Sequence, residues 1–305
     1  MAEQNFQRRF EQRWGHLTEP RVRALAGLLE SPDLLDATSA AWHGRIASLG
    51  PVTPAVAGWL AALQHDPAPL DAAFGGKVYS RLGLYAEKLL AFYFEQHGQL
   101  FAHGLQVRAS RNDTVGEFDF LLHQGDRLLH WELATKFYLL DGAPDAALNH
   151  LIGPNLADAL GLKMRKIFDK QLALASHPAA QPLLPQPVDA AQALVKGWLF
   201  YPQGVVQAMA GIAPSHAHGF WCTAGELPAR AYVLLPRLQW LAPYKGRDEQ
   251  VLAAGELEVA LAQPYMVAEV ETVDGWQVEV ARGFVVPDDW AERAGERRQA
   301  GMLPG

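Results

Sequence analysis

The chain predicts an α/β (α+β) fold, a mixed β-sheet flanked by helices, with an N-terminal helical extension and a C-terminal β-hairpin. Three observations carry this. The first hundred residues place apolar side chains at helical spacing between proline and glycine stops. The middle of the chain alternates apolar and polar residues at the period of a strand. The order helix, strand, strand, strand, helix, strand across residues 79–202 suits a mixed sheet covered by helices. Of the 305 residues half are apolar and 19% charged, which is ample for a buried core.

Taken in order, "TEPRVRALAGLLES" predicts a helix with Pro20 in its first turn. "TPAVAGWLAALQHDP" repeats the recipe, with Thr53 as N-cap, Pro54 at the first helical position and Pro67 as the stop. "VYSRLGLYAEKLLAFYFEQHG" predicts the strongest helix, with Tyr79, Leu82, Tyr85, Leu89 and Phe92 in one stripe and Gly98 at its end. Glu87 has mostly apolar neighbours on the adjacent turns, so it is either at the edge of the stripe or aimed at something specific. A short strand at 105–109 precedes a hairpin, and a helix over 156–175 follows with Asn155 as its cap. After a proline-dense loop come buried strands at 197–202 and 219–223 and a partly extended segment, "AYVLLPRLQWLAP". Residues 244–256 read as a linker or long loop. "YMVAEVETVDGWQVEVARGF" is a hairpin turning at Asp274-Gly275, and the tail after Pro287 reads as a short helix that then frays. The organisation expected is a helical region over 1–75, an α/β core over 76–243, and a hairpin and tail over 244–305 packed on that core.

The central hairpin, "GEFDFLLHQGDRLLHWELATKF", puts acids on strands. A two-residue turn at Gly125-Asp126, glycine first as in a type II′ turn, sets Gln124 opposite Arg127 and therefore Asp119 opposite Glu132, Glu117 opposite Ala134 and Val115 opposite Lys136. The other face collects Phe118, Phe120 and Leu122 against Leu129, Trp131 and Leu133, a core face. A one-residue slip would send every side chain of one strand to the wrong side. Opposed residues have Cβ atoms about 4.5–5.5 Å apart, and two carboxylates at that distance repel by a few kcal/mol at an effective dielectric of about 20. Protonation, bulk water or a divalent cation relieves this. Mg²⁺ takes hard oxygen ligands, often only one or two carboxylates, and Lys136 on the same face would orient or stabilise an attacking water. The plainer alternative is a solvated strand face with an ion pair to Lys136. Against it, Leu121, Leu128 and Ala134 share that face, so it reads as covered.

A helix bearing Glu87, then "GEFDF", a tight turn and "HWELATKF", resembles the core of the PD-(D/E)XK nuclease superfamily. The resemblance covers about 79–202 and implies a restriction-endonuclease-like core with metal-binding acids on its second and third strands. Glu87 would then be the helix acid, and Asp119 and Glu132 the strand acids, all three directed at Mg²⁺ or Mn²⁺, with Lys136 as the catalytic lysine. The superfamily's lysine lies two residues after the second acid, where this chain has Ala134; Lys136 is two further along on the same face. Over its whole length the chain is more similar to an uncharacterised bacterial family, domain of unknown function 1853, through "RLGLYAEKLL", "GEFDFLL", "HWELATKFYL" and "IGPNLADALGLK". That family is grouped with these nucleases by resemblance.

The resemblance implies a magnesium- or manganese-dependent phosphodiesterase acting on DNA, a hydrolase that uses a metal-activated water. The competing expectations are a catalytically inactive nuclease scaffold that binds nucleic acid or protein, and an unrelated protein. The net charge of −7 argues against a generally basic nucleic-acid binder. A local basic run, Lys163, Arg165, Lys166 and Lys170, reads as a solvated helix face, and Gln171 or Lys170 as a phosphate contact. No apolar run approaches the roughly 20 residues of a membrane span, the N-terminal stretch lacks a signal-peptide core, and the single cysteine, Cys222, reads as a core residue in a reducing, cytoplasmic setting. His216 and His218 read as a surface loop, and His123 and His130, which flank the turn on the acid face, as a solvated turn or a substrate contact. Trp131 reads as core and Tyr138 as a candidate for stacking on a base.

Overall fold

Five helices precede the first strand among the described residues: α1 (Phe6–Trp14), α2 (Pro20–Glu30), α3 (Pro54–His65), α4 (Ala68–Phe74) and α5 (Leu82–Gln96). The computed structural model describes residues 5–111, 113–141, 147–247, 250–257 and 263–299. Thr53 caps α3 as its sequence signals, its hydroxyl accepting from the Val56 N–H at 3.3 Å. α5 buries Tyr85, Leu89 and Phe92, and Gly98 beyond its end has φ 65°, the left-handed region that ends helices at glycine. α5 begins at Leu82, so Tyr79 stands outside the helix and meets Phe74 edge-on at 5.4 Å.

The strands are β1 (Leu100–Ser110), β2 (Asp113–Gln124), β3 (Arg127–Leu140), β4 (Leu151–Ile152), β5 (Ala190–Pro202), β6 (His218–Thr223), β7 (Ala231–Leu234), β8 (Lys245–Gly246), β9 (Leu252–Ala253), β10 (Tyr265–Val273) and β11 (Trp276–Val286). Helix α6 (Leu160–Lys166) lies between β4 and β5, and α7 (Trp290–Gln299) follows β11. The strands form one mixed sheet in the order β1-β2-β3-β5-β6-β11-β10-β7-β9, with β4 on β3 and β8 on β11. The β3/β5, β5/β6 and β6/β11 pairs at its centre are parallel, and antiparallel pairs lie on both sides. The C-terminal hairpin β10–β11 is thus continuous with the strands of residues 76–243.

One face of the sheet carries the larger core, in which Phe10, Leu25 and Leu89 from the helices meet Phe120, Trp131, Trp198 and Phe284. The opposite face packs Met164 and Ile167 on Ala134, Val195, Leu199 and Tyr201. A third cluster, Phe118, Leu121, Leu128, Leu174 and Ala180, closes over the hairpin. Leu121, Leu128 and Ala134 are all buried, so the acid-bearing face is covered.

Four local expectations are corrected. No continuous helix spans 156–175. Leu156 takes φ 58°, the Gly153 N–H bonds the Asp158 carbonyl across a loop, and helix starts only at Leu160; from Ile167 to Gln171 it loosens into a π-helical turn. Residues 244–256 are no plain linker, because β8 pairs with β11 and β9 with β7. β1 and β5 extend well beyond 105–109 and 197–202. His216 is buried, its Nε2 paired with the Tyr201 hydroxyl at 2.8 Å and its Nδ1 with the Ala213 carbonyl at 2.7 Å. The Asp274-Gly275 turn is present with both residues at positive φ, and the tail forms α7; the expected fraying, at 300–305, lies outside the described residues.

Candidate functional site

The hairpin turns where the pattern of its faces requires. Gln124 pairs with Arg127 and Phe120 with Trp131, and Gly125 carries the positive φ of 61°. There the ladder stops. The expected cross-strand pairs Asp119–Glu132, Glu117–Ala134 and Val115–Lys136 do not form, because β2 stays with β1 while β3 continues beside β5. The Asp119 carboxylate takes the Leu133 N–H at 2.8 Å, replacing a backbone acceptor with a side chain at the point where the strands part. β4 rejoins β3 only at Leu139, so between these points that edge of β3 has no partner strand among the described residues. Phe118 is a further correction. It leaves the core face and stands edge-on to His130 at 4.7 Å. Gly104, which lies between the pairs His103–Phe120 and Leu105–Phe118, has φ 63°, and a left-handed residue inside a strand disturbs its alternation.

The split in the sheet opens a cleft of about 520 Å³. α5 contributes Gly83 and Glu87, one helical turn apart. β2 contributes Asp119, and β3 contributes Leu133, Thr135, Lys136 and Tyr138. The segment after β4 adds Asp158, α6 adds Lys163, and the π-helical turn adds Gln171. Glu87, Asp119 and Lys136 therefore meet in one cavity, although they are far apart in sequence. Glu132 is fully buried just behind it. Its Oε1 pairs with His130 Nε2 at 2.7 Å and its Oε2 accepts from Gln171 Nε2. Gln171 Oε1 in turn accepts from Lys163 Nζ at 3.1 Å. Glu87 pairs with His103 Nε2 at 2.8 Å. Lys136 donates to Asp158 at 3.1 Å, and the Tyr138 hydroxyl donates to the same oxygen at 2.8 Å.

Electrostatics binds these groups into one unit. Burial, and then the neighbouring Glu132 carboxylate, push the Asp119 carboxyl up to about 8, with Glu87 adding to the rise and the Leu133 N–H and Lys163 opposing it. Burial, then the charges of Lys136 and Lys166, pull the Lys163 ammonium down, against Asp119 and Glu132. Burial and Asp158 raise the Tyr138 phenol. Arg81, Lys136, Lys163 and Arg237 line the cleft together with Glu87, Asp119 and Asp158, so charges of both signs meet there. A buried carboxyl beside a second one, with Lys163 nearby, suits the binding of a small cation or an anionic group. Among the described residues no three His, Cys, Asp or Glu side chains converge closely enough to form a metal shell by themselves.

Sequence reasoning placed Lys163 on a solvated helix face and His130 in a solvated turn, but Lys163 lines the cleft and His130 is buried against Glu132. A signal for His130 existed, since it lies two residues from Glu132 on a strand and so shares its face. Asp158 and His103 had no local signal at all.

A family model described as a domain of unknown function (DUF1853) matches residues 23–286. The chain belongs to the DUF1853 family. The match takes in every residue of the cleft, and also β10 and β11. No curated protein and no solved structure matches this DUF1853 chain.

Proposed function

We propose that this DUF1853 protein is a divalent-metal-dependent phosphodiesterase of the PD-(D/E)XK type, acting on DNA. The observation that carries the reading is the parting of β2 and β3 at Asp119, which gathers two strand acids, a helix acid and two lysines around one cleft. The donor chemistry fits Mg²⁺ or Mn²⁺: Asp119 and Glu132 offer hard oxygens, Glu87 a third, and such ions commonly use one or two carboxylates with water filling the remainder. Asp119 and Glu132 would hold the ion, with Glu87 alongside. Bound there, the ion would supply positive charge beside the scissile phosphate and make a nearby water more acidic. The chain's own groups do the rest. Lys136 and Lys163 hold a phosphate by charge, and Lys163 is the better placed to take up charge developing beside the acids, because Lys136 is already engaged by Asp158. Gln171 and His130 fix the orientation of Glu132.

Titration of the full chain with Mn²⁺, together with nicking of supercoiled plasmid, tests this. The wild type is expected to bind Mn²⁺ and to nick only when metal is present. Asp119→Ala should lose both, and Lys163→Ala should keep Mn²⁺ binding while nicking roughly 100-fold more slowly. Absence of Mn²⁺ binding by the folded wild type would overturn the reading.

A second reading is favoured by a specific observation. Ala134 is buried at the position two after Glu132, and Glu132 already has side-chain partners on both oxygens. On that reading the scaffold binds nucleic acid or protein without hydrolysis. DNA retention that is indifferent to EDTA and to Asp119→Ala, with no nicking, would select it.

A further inference from the structure

The floor of the cleft is a strand edge without a strand beside it. The hairpin pairs Gln124–Arg127, Leu122–Leu129 and Phe120–Trp131 show which residues of β3 aim their backbone N–H and C=O toward β2: every second one from Arg127 onward. The residues between them turn to β5, as the bond from the Asp189 N–H to the Leu128 carbonyl shows. Leu133, next in the series, gives its N–H to the Asp119 carboxylate. Leu139, three steps further along the same edge, is met by Ile152 of β4. Thr135 and Phe137 lie between, and among the described residues no strand pairs with them on this side. Leu133, Thr135 and Phe137 all line the cleft, so their backbone groups border open space. The stretch from Leu133 to Leu139 is roughly 20 Å long at the rise of a strand. Backbone groups normally find partners, and an open edge of this kind is a template for a further strand.

Charge selects the kind of strand. The acids that line the cleft are engaged: Glu87 with His103, Asp158 with Lys136 and Tyr138, and Asp119 with the Leu133 N–H. Arg81, Lys163 and Arg237 line it too and have no ion pair among the described residues. These cations flank the edge on both faces of the sheet. Trp240, three residues after Arg237, packs on Phe137 at 5.2 Å, on the face that carries α5. Lys163 belongs to α6, whose Met164 packs on Ala134 on the opposite face. The side chains of an added strand alternate between those faces, so acidic residues on either one meet a cation. A nucleic-acid backbone matches the edge less well, because phosphate oxygens accept from the N–H groups but have no donor for the carbonyls. An extended peptide offers donors and acceptors in alternation, with main-chain bonds for affinity and alternate side chains for specificity. We propose that an acidic peptide segment docks in the cleft by adding a strand to β3 beside Thr135 and Phe137. This goes beyond the phosphodiesterase reading and does not rest on it.

Calorimetric titration of the full chain in EDTA tests this with three capped heptapeptides: one alternating glutamate and valine, its analogue with esters in place of the central amides, and its analogue with lysine in place of glutamate. The ester analogue keeps shape and charge but loses the N–H donors. Wild type is expected to bind the glutamate peptide at least about tenfold tighter than either analogue. The double variant Arg81→Ala/Arg237→Ala, with an unchanged melting temperature, should bind it roughly tenfold more weakly. Hydrogen exchange locates the strand. The bound peptide should slow the Thr135 and Phe137 amides at least about tenfold, while the Ala134 and Lys136 amides, which face β5, change far less. Equal affinity for the amide and ester peptides would reduce the contact to charge alone and overturn strand addition. Binding weaker than about 1 mM by the folded protein would overturn the site altogether. A single-stranded oligothymidylate that protects Thr135 and Phe137 where the peptide does not would give the edge to nucleic acid and overturn it equally. Metal and nicking enter none of these readouts, so failure of the peptide site and failure of the phosphodiesterase reading are seen separately.

Discussion

Asp119 shows how one side chain can end a β-ladder. Its carboxylate takes the Leu133 N–H, and the two strands separate beyond it. With its carboxyl pushed up to about 8 and an unfolded value of about 3.9, the native state holds a proton that the unfolded chain has released throughout the window between. The native state therefore binds more protons there, and the stability contributed by this group, fully present below about pH 4, is lost as pH rises through about 8. Asp119→Asn keeps an oxygen for the Leu133 N–H and has no proton to lose. Its melting temperature relative to wild type should rise between pH 5 and pH 8; a constant difference would show that Asp119 is not ionising against its surroundings. The turn and the register next to it were legible because strand period and turn geometry act locally, but the Asp119–Glu132 pair they implied does not form, because the ladder ends at Phe120 and Trp131. The cleft position of Lys163 was not legible, since only the return of α6 over β3 brings it there.

At the scale of elements, the parallel pairing of β3 with β5 holds the floor of the cleft. Gly197 pairs with Lys136 at φ 141°, and a Cβ there would run into the Lys136 carbonyl. Gly197→Ala must therefore push the strands apart beneath Lys136. A loss of at least about 2 kcal/mol in denaturant unfolding is expected; a fully stable variant would show that the pairing tolerates separation. α3 and α5 were readable from caps, stops and apolar stripes, because those signals are local. The segment 156–175 is not one helix although its apolar spacing is helical, because the Gly153 N–H bonds the Asp158 carbonyl and holds its first residues in a loop. The π-helical turn that follows brings Gln171 within reach of both Glu132 and Lys163.

Across the whole molecule the net charge is −7, yet Arg81, Lys136, Lys163 and Arg237 line a single cleft, with Glu87, Asp119 and Asp158 among them. If a DNA strand occupies it, each phosphate neutralised releases counterions, and the log of affinity should fall against the log of salt with a slope of about −0.9 per contact. For four cations a slope of about −3 to −4 is expected from filter binding or fluorescence anisotropy between 50 and 200 mM salt. A flat dependence would place DNA elsewhere or exclude it as a ligand.

The amino-acid sequence alone determined the mixed α/β class, the two hairpins with their turns, the covered acid face and the family, because alternation, capping and turn chemistry act between near neighbours. Tertiary structure decided where β2 leaves β3, which cations and amides meet the acids, and that an edge of β3 lies open along the cleft. Those features depend on segments brought together from distant parts of the chain, and their contacts are set by packing across the sheet rather than by the local period of any one segment.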